Sequence, residues 1–278
     1  MARGADSGYT LRSMNQDQVK KQLLRLEADT EEFSVVFTGK KSRKVNGLYK
    51  SDIREILLHT KNFKDDNELM YTAIHEFAHH LHFTRSAVPV SGRGSHGTEF
   101  WSIFHGLLDK AEKTGIYHSI FGEDKEFTAL TKKIREDFLA RNGRLIKEFG
   151  SILAKAEELC EKKNMRFEDY VDRVLCLHRS SARLFMRMQE LDIDPALGFD
   201  NMKTVASLRH EDDRAGAQAA FLSGKSPDTV RAEFGGKPKD KDPADLLRQE
   251  KNRIERTIAS LTGRLKEIDE KLEKIESQ

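Results

Sequence analysis

At 278 residues, 37% hydrophobic and 34% charged, the chain is long enough for more than one domain and has the composition of a modest core joined to solvated helices. A formal net charge of only +2 gives no bulk electrostatic case for a nucleic-acid protein, so any basic surface must be local. No apolar run approaches the roughly 20 residues of a membrane span, and Cys160 and Cys176 have no ligand or disulfide spacing, so a cytoplasmic protein with reduced core thiols and no membrane partner is expected.

Residues 1–13 are small and polar and read as a loose start. Val19, Leu23, Leu24 and Leu26 then recur at helical spacing between Asn15 and Ala28, which predicts an amphipathic helix packed on a sheet. Three short β-branched and aromatic runs come next, Phe33 to Phe37, Val45 to Tyr49 and Ile53 to Leu58, separated by turn residues. They predict that small sheet.

Residues 71–83 carry His75, Glu76 and His79 in an H-E-x-x-H arrangement. On a helix, that spacing sets two imidazoles one turn apart on one face, half of a tetrahedral zinc shell, with Glu76 next to the first ligand as a candidate general base. Tyr71, Ile74, Ala78 and Leu81 supply an apolar stripe for burial. A catalytic zinc needs a third protein ligand and leaves a position for water. After a loop containing Pro89, Gly92 and Gly94, His96 is the first choice, with Glu99 on the following helix as the alternative. Gly97 is expected to let the backbone turn near the metal and Thr98 to cap a helix carrying Phe100, Ile103, Phe104, Leu107 and Leu108. His80, His82 and His118 remain unassigned, and His105 reads as a packing histidine or a partner of the site.

The pairing of HEFAHH with HGTEFW after a short loop resembles the SprT-like metallopeptidases, the group that contains the Spartan proteases acting on proteins crosslinked to DNA. The resemblance spans roughly residues 30–122. It implies a zincin-like α+β domain in which zinc is held by His75, His79 and His96, Glu76 is the base, and the substrate is protein. It also implies an edge strand beside the metal helix that aligns extended substrate, for which residues 53–60 are the first candidate and an internal strand the alternative. No cysteine zinc ribbon follows, unlike in many relatives, which leaves the substrate class open.

Residues 123–163 read as a helical connector broken at Asn142-Gly143. Residues 164–234 read as an all-α domain. Within it, residues 168–190 resemble a helix-turn-helix turning at Cys176 to His178, in which Arg179, Ser180, Ser181, Arg183 and Arg187 are candidate DNA contacts. A second such unit runs from Gly216 to Phe234, with Ser226-Pro227 opening its second helix. Either unit could instead be a plain helical hairpin. Residues 235–243 form a linker, and residues 244–278 carry a heptad with Ala244, Lys251, Ile258, Leu265 and Leu272 at a and Leu247, Ile254, Leu261, Ile268 and Ile275 at d. This predicts a coiled coil and a possible parallel homodimer, or else one helix folded back on its own chain.

The expectation for the whole is a zinc metallopeptidase of three parts: an N-terminal segment with its helix (1–30) and the zincin-like domain (31–122), then the helical domain, then the coiled coil, with possible targeting to DNA. The alternatives are a regulatory peptidase that cleaves a repressor and a non-enzymatic DNA-binding or scaffold protein with a structural zinc.

Overall fold

The computed structural model describes residues 14–90, 95–236 and 242–276. The loose start at 1–13, Gly92 and Gly94 of the loop, and residues 237–241 of the linker lie outside the described residues. The described chain is mostly helical with one three-stranded sheet, in keeping with the α+β class.

Helix α1 (Gln16–Leu26) opens on reciprocal caps: Gln18 N donates to Asn15 Oδ1 at 2.9 Å and Asn15 N donates to Gln18 Oε1 at 2.8 Å. Strands β1 (Ser34–Phe37), β2 (Gly47–Lys50) and β3 (Glu55–Leu58) follow in the order β1-β3-β2, with β1 parallel and β2 antiparallel to β3. The third strand is therefore central and cannot be the edge strand expected at residues 53–60. Its apolar run, with Ile56 and Leu58 fully buried, is what a strand flanked on both sides requires. The edge beside the helix that carries His75 and His79 is β2.

Helix α2 (Asp66–Arg85) is capped by Asp65, whose carboxylate accepts from Glu68 N at 2.8 Å, while Glu68 accepts from Lys64 N at 2.9 Å. Met70, Ala73, Ile74, Phe77 and Ala78 have no exposed surface, so the helix is clamped between the sheet and α3 (Thr98–Lys113). Gly97, not Thr98, occupies the cap of α3, with no side-chain cap bond. Its φ of −78° is open to any residue. One continuous core joins α1, the sheet, α2 and α3 from Val19 to Ala111.

Beyond it, α4 (Lys125–Lys133) runs through a π-helical segment, Ile134–Ala140, into α5 (Arg141–Lys162). Asn142-Gly143 does not break this helix. A Cβ on Gly143 would lie 2.2 Å from the Pro195 carbonyl oxygen, and one on Gly150 would lie 2.3 Å from that of Phe185. Both glycines permit close backbone approach rather than a turn. The connector thus belongs to the helical body: α5 lies along α7 (Arg179–Glu190), and Leu153 is buried with Phe167, Val171 and Ala182. Between them, α6 (Phe167–Asp169) extends as a π-helical turn over Tyr170–Val174. Cys160 is half-buried against this cluster, whereas Cys176, expected in a core, is exposed in the turn with φ 52°.

Helices α8 (Phe199–Ser207), α9 (Glu211–Leu222) and α10 (Pro227–Phe234) enclose a further cluster around Met188, Met202, Val205, Phe221 and Val230. Helix α11 (Pro243–Glu276) ends the described chain. No described helix is long and apolar enough to cross a membrane.

Gly143→Ala should destabilise the fold by about 1–3 kcal/mol, since the new methyl group must displace the Pro195 backbone. Asn142→Ala, on an exposed helical position, should leave the urea midpoint within error. Equal midpoints for the two variants would contradict the close approach.

Candidate metal centre

Two adjoining elements build the site. His75 and His79 project from successive turns of α2, and His96 arrives from the residues that lead into α3. His96 Nε2 lies 3.1 Å from His79 Nε2 and 3.3 Å from His75 Nε2. Metal–nitrogen bonds of about 2.0–2.1 Å in a tetrahedron place neighbouring ligand atoms about 3.3 Å apart, so the observed spacing matches one face of such a shell. Hydrogen bonding explains it less well, because a ring nitrogen offers one in-plane proton or one lone pair, whereas that of His96 faces two other imidazoles. The three residues form a group that could hold a metal ion. Glu99, the alternative third ligand, is not part of it. Its carboxylate lies 3.8 Å from His82 Nε2.

Phe100 is the floor of the site. Fully buried, it stacks on His79 with ring centroids 4.2 Å apart and meets His75 and His96 edge-on at 5.0 and 4.8 Å. One rigid ring thereby limits the rotation of all three imidazoles. Sequence reading placed Phe100 only on the apolar face of its helix. The available signal was its position one turn after His96, which brings it beneath that ring once the helix starts at Thr98.

The opposite wall comes from β2. Buried His80 donates through Nε2 to the Glu31 carbonyl at 3.0 Å, which leaves Nδ1 to accept from the Tyr49 hydroxyl, also at 3.0 Å. This neutral histidine ties the edge strand to α2. A Cβ on Gly47 would sit 2.9 Å from Glu76 Cγ and 3.0 Å from its Oε1, so only glycine lets β2 approach the carboxylate this closely. Neither role was visible from local spacing.

Burial acts on both kinds of titratable group. Desolvation lowers His75 to about 4 and His79 to about 3, reinforced by the neighbouring imidazoles. It raises Glu76 to about 7, against a backbone hydrogen bond from Tyr49 that pulls the other way. At neutral pH the two helical imidazoles are free to donate lone pairs, and the carboxyl group is balanced between its two states.

The candidate DNA contacts lie elsewhere, on α7. Arg179 pairs with Asp172, and Arg183 bridges Glu157 at 2.6 Å and Glu168 at 2.9 Å. Arg187 donates to the Ala206 carbonyl at 2.8 Å. Ser180 is exposed and Ser181 half-buried in the first turn. In the second hairpin, α10 begins at a Ser226 cap as expected, but it packs on α3. His105 Nδ1 and Ser226 Oγ are 2.7 Å apart across that contact, and His105 stacks on Trp101 at 5.8 Å. His105 is thus a packing residue between the two halves of the chain.

No protein-family model matches this chain, and neither the curated proteins nor the solved structures contain a match.

Two measurements bear on this geometry. Titrated with Zn²⁺ against a competing chelator, His96→Ala should lose tight binding and Phe100→Leu should bind about 10–100-fold more weakly, the range for groups that orient metal ligands. Parental affinity in a folded Phe100→Leu protein would contradict the role of that ring. In metal-free protein, His75 and His79 titrate near 4 and 3 when folded but near 6.5 when unfolded. At these two sites the unfolded chain binds more protons between those values, and Glu76, which keeps its proton up to about 7 when folded, offsets only about one of the two, so the melting temperature should still fall as pH drops from about 6.5 toward 4. A flat profile would show that these rings are not held neutral.

Proposed function

We propose that this chain is a zinc-dependent metallopeptidase of the SprT-like type, hydrolysing peptide bonds in protein substrates. The observation that carries the reading is the convergence of three histidine Nε2 atoms, with the buried carboxyl of Glu76, next in sequence to His75, outside the ligand set. An all-nitrogen set favours zinc over the oxygen-seeking cations, and three protein ligands leave the open position that catalysis needs, where a structural zinc takes four. Zinc held there would supply Lewis acidity to the scissile carbonyl and lower the pKa of its water.

The protein side of the chemistry belongs to Glu76. Its burial works against the charged form, so it is suited to accept a proton from the attacking water and return it to the departing amine. Edge strand β2 supplies the guide for an extended peptide, which would add to the sheet through its backbone while Leu48 and Lys50 stay exposed to meet side chains. Targeting to DNA is no part of this proposal: the α7 arginines are engaged by carboxylates or a carbonyl, and exposed ion pairs of that kind neither favour nor exclude exchange for a phosphate.

Glu76→Gln should retain stoichiometric zinc and fold normally while peptidase turnover on an unstructured protein drops by about a hundredfold to ten-thousandfold, the range for general acid–base transfer. Undiminished cleavage by this variant would refute the assignment of the base. Loss of zinc would instead mean that Glu76 supports the ligands.

A further inference from the structure

Helix α11 presents an apolar seam that the other described residues leave in solvent. Leu247, Ile254, Ile258, Leu261, Leu265, Ile268, Leu272 and Ile275 are each between 44% and 70% exposed, although they recur at heptad spacing along a 34-residue helix. Such a stripe is stable in water only when something covers it. The charges beside the seam identify the cover as a second copy and also fix its direction.

In a parallel, in-register pair, residues at g meet the partner's e residues of the next heptad. Arg264 then attracts Asp269 and Lys271 attracts Glu276, but Glu250 opposes Glu255, and Lys251 at a faces the same lysine of the other chain. In an antiparallel pair centred between Ile258 and Leu261, g meets g and e meets e. Glu250 now lies beside Lys271 and Arg248 beside Asp269, while Thr257 meets Arg264 and Glu255 meets Thr262. No like charges remain opposed. The seam layers become Ala244 with Ile275, Lys251 with Ile268, Ile258 with Leu261, Leu265 with Ile254 and Leu272 with Leu247, so each lysine packs its stem on an isoleucine. The intrahelical pairs of Arg248 with Asp245 and of half-buried Glu250 with Arg253 lie at the surface, and such pairs are weak.

We propose that α11 closes on a second copy of this chain as an antiparallel two-stranded coiled coil. With a rise of about 1.5 Å per residue the rod is roughly 50 Å long, so the two chains enter it from opposite ends. Their folded N-terminal halves therefore hang from opposite ends as well. This inference is independent of the peptidase chemistry.

The test uses the full chain. Light scattering should give twice the 31.8 kDa chain mass. Glu250→Lys discriminates the two directions, since it sets lysine against Lys271 in the antiparallel pair but against Glu255 in the parallel one. The antiparallel pair predicts dimer dissociation about tenfold stronger in Glu250→Lys, from two attractive surface pairs turned repulsive, and recovery in Glu250→Lys/Lys271→Glu. Spin labels at Gln249→Cys, with Cys160 and Cys176 replaced by serine, should lie about 30 Å apart along the rod. A monomeric mass, tighter association of Glu250→Lys, or two labels side by side would each overturn the proposal.

Discussion

The structure depends on one constraint: three imidazole nitrogens are held within bonding distance of a common point, an arrangement that neutral rings would not choose for themselves. His96 cannot satisfy His75 and His79 together by hydrogen bonding, so the packing around them must maintain the convergence. Phe100 does so from below, and the clamped position of α2 does so from behind. Because α2 is buried on nearly every side, its register cannot slip. The two histidines one turn apart are therefore fixed relative to both the sheet and α3.

Burial produces two opposite consequences for chemistry at a single place. Desolvation disfavours whichever form is charged, so it drives the histidines toward neutral ligands and Glu76 toward the protonated acid. The value near 7 describes the carboxyl group without a cation beside it. A dication held by the histidines would draw it down, since nearby positive charge favours the carboxylate. The same carboxyl group would then be ionised at neutral pH.

What could be read from the sequence was what local geometry determines. The i, i+4 spacing of His75 and His79 forces them onto one face, and His96 stood out because it was the next nitrogen donor after a short loop. Features set by distant partners were hidden. The order β1-β3-β2 arises from a parallel pairing that skips over β2, so the apolar run at Glu55–Leu58 marked a central strand although its position in the chain suggested an edge. Asn142-Gly143 has the composition of a turn, yet the reason for glycine is a backbone 52 residues away in sequence. At Cys176 the expected turn forms, with a non-glycine residue in the left-handed region, so its geometry is set by the flanking helices rather than by residue type.

The packing of α10 on α3 ties the helical half of the chain to the site. Phe100 faces the three histidines from α3, and one residue further on Trp101 lies 5.9 Å from His96 on one side and 5.8 Å from His105 on the other. His105 is in turn fixed by Ser226 from α10. A helix braced on one face by α2 and on another by α10 has little freedom to rotate, and rotation of α3 would carry Phe100 out from under the histidines. The helical body is thus part of the wall that keeps the site in shape.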